Sequence, residues 1–143
     1  MDLVEKLDHV AFAVKDKAAA ARFLTSVFGA REVMDMEWEG FRFASYLCGS
    51  GSMLELIYSP EPDHFINRFI DRHGEGVHHL TFKVRDINEM IQHLKGHGLN
   101  PLGVETSNEL WKECYLHPRE AMGSVIQFAE FPEEEWVKIW GGK

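Results

Sequence analysis

Asp8-His9-Val10-Ala11-Phe12-Ala13-Val14-Lys15-Asp16 and His78-His79-Leu80-Thr81-Phe82-Lys83-Val84-Arg85-Asp86 are one pattern written twice, 70 residues apart. A histidine, apolar residues around a phenylalanine, a valine, a base and an aspartate fall in step. Further on, Met53-Leu54-Glu55-Leu56 matches Val125-Ile126-Gln127-Phe128 at an offset of 72, so the second copy has gained about two loop residues. A repeat of this length fixes the architecture before any single element does. The chain reads as two similar halves.

Within each half the periods are legible. Residues 8–14 and 78–84 alternate with period two, the mark of a strand with one buried face. Val10, Phe12 and Val14 lie on one side and His9, Ala11 and Ala13 on the other; Leu80, Phe82 and Val84 oppose His79, Thr81 and Lys83 in the same way. Asp16 and Asp86 have the chemistry of helix N-caps. Helical spacing follows through Ala20, Phe23, Leu24, Val27 and Phe28 to Gly29, and through Ile87, Met90, Ile91 and Leu94 to Gly96 and Gly98. Short strands are expected at 31–36, 41–48 and 52–58, and again at 101–105, 109–116 and 124–130. Gly49-Ser50-Gly51 and His117-Pro118-Arg119-Glu120 are the turns before the last strand of each half. The expected fold is α+β, two βαβββ repeats forming one curved mixed sheet around a metal-binding cleft. It is read as a single domain over 1–143, with repeat one at about 6–58, a connecting helix at about 61–73, repeat two at about 76–130 and a tail at 131–143. Phe65, Ile66, Phe69 and Ile70 carry the connecting helix, and Glu133 to Trp140 a short terminal one.

Composition narrows the partners. The 143 residues include 23 acidic and 15 basic side chains, a net charge of −8, which argues against nucleic-acid phosphates or an anionic membrane surface as the main partner. No apolar run approaches the ~20 residues a membrane span needs. The two cysteines, Cys48 and Cys114, follow a charged start without the basic-then-apolar order of a secretory leader, so a reducing, cytoplasmic compartment is expected. An open sheet edge and the apolar tail residues Trp136, Ile139 and Trp140 predict a homodimer.

The chemistry lies in polar residues that the strands force into phase. In both halves the first strand carries a histidine, and the last carries a carboxylate or amide between two apolar neighbours. His9, Glu55, His79 and Gln127 therefore share one surface. Taken singly, each is most simply a solvated residue on an exposed face. Their repetition in the same phase points instead to a divalent metal held by two imidazoles, one carboxylate and one amide oxygen, with room left for water or substrate. Cobalt, nickel, zinc, manganese and magnesium all fit this set. His64, His73, His93 and His97 are read as solvated, His78 as a packing residue, and His117 as a turn residue.

The segments His9 to Asp16, Gly74-Glu75-Gly76-Val77-His78-His79-Leu80-Thr81-Phe82-Lys83-Val84, Leu116-His117-Pro118-Arg119 and Ser124-Val125-Ile126-Gln127-Phe128 resemble the vicinal oxygen chelate superfamily across nearly the whole chain. Ser59-Pro60 before a helix, Arg72 to His79, and Tyr115-Leu116-His117-Pro118-Arg119 most resemble its methylmalonyl-CoA epimerases. The resemblance implies metal ligands at His9, Glu55, His79 and Gln127, a catalytic base at Glu37 with Glu39 as its neighbouring alternative and Glu55, leaving the metal to act, ranked second, and an acyl-CoA thioester as small-molecule substrate. It implies epimerisation of a 2-methylmalonyl thioester through a metal-stabilised enolate. Such epimerases usually carry glutamine where this chain has Glu55 and glutamate where it has Gln127; the pair is exchanged, and an amide cannot accept a proton near pH 7. A glyoxalase I-type lyase acting on a glutathione hemithioacetal and a non-catalytic antibiotic-binding protein are the alternatives. Ile57-Tyr58-Ser59-Pro60 counts against the lyase, and intact paired ligands against the binder.

Overall fold

The computed structural model of the protein describes residues 2–139. Its elements run β1 (Val4–Ala13), α1 (Lys17–Val27), β2 (Arg31–Trp38), β3 (Phe41–Cys48), β4 (Ser52–Tyr58), α2 (Phe65–His73), β5 (Gly76–Val84), α3 (Ile87–Gly96), β6 (Leu102–Glu105), β7 (Lys112–Leu116), β8 (Val125–Glu130) and α4 (Glu133–Ile139). This is the α+β pattern with βαβββ written twice. Among the described residues the eight strands follow the order β2-β3-β4-β1-β5-β8-β7-β6 in one mixed sheet. Two compact units result: His9–His78, and the residues before His9 together with those from His79 onward. Trp140, expected in the last helix, lies outside the described residues.

In the unit His9–His78, β1 runs parallel to β4, and β2, β3 and β4 are antiparallel neighbours. Asp16 caps α1 as expected, its Oδ1 accepting from Ala19 N at 3.0 Å. One sheet face meets α1 through Val14, Leu24, Ala44, Tyr46 and Leu56. The other face was expected to be open, and here the structure differs. His9, Ala11 and Ala13 are more buried than their neighbours Val10 and Phe12, and Ile66 and Ile70 of α2 pack over Ala13 and Ile57. The small side chain of Ala13 leaves room for the connecting helix, whose docking on this face the strand's alternation does not reveal. That helix starts at Phe65 rather than near residue 61: Ser59 Oγ accepts from Glu61 N and Asn67 Nδ2 donates to the carbonyls of Ser59 and Glu61, winding 59–63 into a turn. His64 caps it, its Nδ1 accepting from Ile66 N.

In the other unit, β5 runs parallel to β8, with β8-β7-β6 antiparallel beyond it. Asp86 caps α3 through Glu89 N at 2.9 Å. The apolar stripe of α3, namely Ile87, Met90, Ile91 and Leu94, packs on Val84, Cys114, Leu116 and Phe128. The strand β1 begins at Val4, four residues before its alternation starts, because this stretch is set by pairing rather than burial: Arg85 N donates to Leu3 O at 3.1 Å and Lys83 pairs with Glu5. Conversely β7 begins at Lys112 instead of residue 109, since Asn108 Oδ1 accepts from Leu110 N and closes a turn there. His117 caps the short turn of helix at Pro118–Glu120 through Arg119 N. Trp111 stacks on Phe131 with centroids 4.9 Å apart, and Trp136 Nε1 donates to Leu110 O, which docks α4.

Candidate metal centre

His9 and Glu55 are brought together by strand register. In the parallel pair β1/β4, His9 lies opposite Met53 and Ala11 opposite Glu55, so the two side chains rise from the same face one step apart. His9 is 6% exposed, and its Nε2 stands 3.4 Å from Glu55 Oε2, whose side chain is 13% exposed. Across β3 the partner of Glu55 is the buried Ser45. Small or apolar neighbours therefore frame two strong donors, an imidazole and a carboxylate, in a largely dry setting where each interaction is less screened than in water.

The other unit repeats the register. In β5/β8, His79 lies opposite Val125 and Thr81 opposite Gln127, the same one-step relation as His9 and Glu55. Thr81, fully buried in the place that Ala11 has in the first copy, directs its hydroxyl to Gln127 Oε1 at 2.6 Å. On the far side, Gln127 Nε2 donates to Glu113 Oε2. The amide is held at both ends. Thr81 and Glu113 are neighbours of the Gln127 amide that the sequence did not single out as site residues. A signal for each was present: Thr81 is in phase with His79, and Glu113 alternates with the core residues Cys114 and Leu116.

Glu37 is placed elsewhere. It stands near the end of β2 opposite Arg42, with its carboxylate 3.6 Å from Arg42 Nη1 and its side chain 70% exposed. On β3, Arg42 pairs with Tyr58 and Ala44 with Leu56, while Ser45 pairs with Glu55; alternation thus puts Glu37 and Arg42 on the α1 face, opposite to Glu55. Asp35 lies there too, accepting from Arg42 Nε and Tyr58 Oη at 3.1 Å each. Glu39 and Gly40 both have positive φ, 45° and 82°, and form the two-residue hairpin loop between β2 and β3. His73, His93 and His97 are exposed, as read, whereas His64, read as solvated, is half-buried, caps α2 and packs on Phe65 with centroids 4.5 Å apart. His78 packs edge-on against Phe69 and near Phe65, with centroids 4.9 and 5.6 Å away, and burial pushes its imidazole pKa down. The thiol of Cys114 is pushed up to about 11, first by burial and then by Glu113 beside it.

A model of the Glyoxalase/Bleomycin resistance protein/Dioxygenase superfamily matches residues 8–115. Human mitochondrial methylmalonyl-CoA epimerase is 27% identical over 130 residues, covering 87% of this chain and 73% of the human protein. The crystal structure of methylmalonyl-CoA epimerase from Mycobacterium tuberculosis superimposes with a TM-score of 0.82 at 27% identity, over 94% of this chain and 93% of that one. Glyoxalase I of Saccharomyces cerevisiae is 25% identical over 155 residues, which take in 93% of this chain and 44% of the yeast protein. Among the described residues no helix is long and apolar enough to cross a membrane.

Proposed function

The chain belongs to the glyoxalase/bleomycin resistance protein/dioxygenase superfamily, and we propose that it is a metal-dependent epimerase of a 2-methylmalonyl-CoA-like thioester. The observation that carries this reading is the doubled register, in which a histidine and the carboxylate or amide one step across are set the same way in both units. His9, Glu55 and His79 are donors of the kinds a divalent ion takes, with the Gln127 carbonyl as the fourth. The spacing of His9 and Glu55 fits these two to one ion: with metal–ligand bonds of about 2.1 Å, neighbouring ligand atoms stand roughly 3.0–3.4 Å apart, and 3.4 Å is the spacing seen. The likeness to the human and mycobacterial epimerases supports the substrate class.

When bound, such an ion would polarise the thioester carbonyl and make the α-proton more acidic. The chain's own residues must then move that proton. Two carboxylates are candidates for the acceptor: Glu37, the base by resemblance, which stands beside Arg42, and Glu55, which shares the His9 face and would have to leave the ion to act. Epimerisation needs proton return to the opposite face of the α-carbon, from a second group or through a relayed proton.

The test is α-proton exchange of methylmalonyl-CoA in deuterated water, followed by NMR with and without chelator. Metal-dependent exchange together with interconversion of the epimers is expected. Glu55→Gln and Glu37→Gln, compared at saturating metal, separate the two candidate bases, since losing a general base costs ~10²–10⁴-fold. The likeness to yeast glyoxalase I favours one other reading, a lyase; turnover of the methylglyoxal–glutathione adduct with no exchange on the thioester would establish it instead. Cytoplasmic residence and a homodimer belong to the same proposal, the latter checked by light scattering against the monomer mass of 16.5 kDa.

A further inference from the structure

We infer that Glu113 is a positioning residue, which fixes the Gln127 side chain so that its carbonyl oxygen, not its amide nitrogen, is presented as a ligand; the inference rests on the metal reading above. An amide can be turned either way, and only the nitrogen end is useless to a cation. The two contacts decide the orientation. Glu113 Oε2 meets one end of the amide, and an ionised carboxylate accepts hydrogen bonds without donating any, so that end is the NH2 group. The other end is then the oxygen, which takes the Thr81 hydroxyl at 2.6 Å and has a second lone pair left. Thr81 alone could not decide, because a hydroxyl donates or accepts as required. Glu113 removes the ambiguity.

The same contact accounts for an amide at position 127. A carboxylate there would face the carboxylate of Glu113 at hydrogen-bonding distance, in a part-buried setting where like charges repel strongly. Glu113 and Gln127 are thus complementary in charge and in hydrogen bonding, on the adjacent strands β7 and β8, where Gln127 pairs with Tyr115 and Glu113 with Ala129.

Two readouts independent of turnover test this. In the first, cobalt affinity is measured by chelator competition for the wild type, His9→Ala, Glu113→Leu and Glu113→Gln. Glu113→Leu is expected to weaken binding ~10–100-fold, the usual range for the partner of a ligand, while Glu113→Gln, which can accept from the amide but can also donate to it, should fall between the wild type and Glu113→Leu. Wild-type binding that depends on His9 but is untouched in Glu113→Leu overturns the positioning role and leaves the metal reading intact. A wild type that binds no cobalt overturns the metal reading and this inference with it. In the second, urea midpoints of the metal-free protein are compared. Gln127→Glu should lower the midpoint, and the double variant Glu113→Gln/Gln127→Glu should recover most of that loss. Equal midpoints for Gln127→Glu and the double variant would overturn the charge complementarity.

Discussion

Replacing His9 by alanine separates its role as a packed side chain from its role as a ligand. Without metal, truncating an imidazole that is 6% exposed leaves a cavity and removes the contact with Glu55 at 3.4 Å, a loss of roughly 1–3 kcal/mol. Adding a divalent ion acts on the wild type alone. At an ion concentration about 100 times its Kd, the folded state gains about 2.7 kcal/mol. For 143 residues, at about 2.1 cal/mol/K of unfolding entropy per residue, the entropy of unfolding is about 300 cal/mol/K, so this gain raises Tm by about 9 °C. The assay is a thermal melt followed by near-UV circular dichroism, run with excess chelator and then with cobalt. The wild type should melt about 9 °C higher with cobalt, whereas His9→Ala, already lowered in chelator, should not move. The metal-induced difference decides, not the starting Tm. A rise of the same size in both proteins would place the ion elsewhere and refute the reasoning.

Other outcomes follow from particular side chains. Burial holds the His78 imidazole below its ordinary value of 6.5, so below pH 6.5 the unfolded chain takes up a proton that the folded chain refuses; stability is full above 6.5 and falls as pH drops. Denaturant unfolding across pH 5–8 should show a shallower acid decline in His78→Phe than in the wild type, and parallel curves would refute the assignment. With its thiol pushed up to about 11 and no surface exposed, Cys114 should react with an aromatic disulfide reagent at pH 8 far more slowly than the half-buried Cys48; two thiols titrating at one rate would contradict that burial. Ile66→Ala, which empties a fully buried position where α2 meets Ala13 and Ile57, should lower stability by about 2–5 kcal/mol, read as a lower urea midpoint at unchanged slope.

Local chemistry made much of the fold legible. Alternation around Phe12 and Phe82, the caps Asp16 and Asp86, and the Gly49-Ser50-Gly51 turn each act within a few residues of chain, and β3 and β4 run as expected from them. The doubled pattern went further, since it placed His9 with Glu55, and His79 with Gln127, in matching phase. What stayed hidden depended on partners distant in sequence. The first residues of β1 lie extended because Leu3 and Glu5 meet Arg85 and Lys83, and nothing in Val4-Glu5-Lys6-Leu7 announces that pairing. Helix α2 packs over Ala13 on a face that alternation alone left open, because a small side chain sets no limit on what approaches it.

The sequence by itself determined two βαβββ copies and four donor residues in phase, because period, capping and repetition are properties of neighbouring residues. Only the tertiary structure decided what surrounds those donors. It put Glu37 on the α1 face, since its position is set by the β2–β3 register with Arg42, and it brought Glu113 and Thr81 to the two ends of the Gln127 amide. Strand pairing joins residues 14 and 46 positions apart in the chain, and side-chain contacts at that range are fixed by register and face, which no local run of residues encodes.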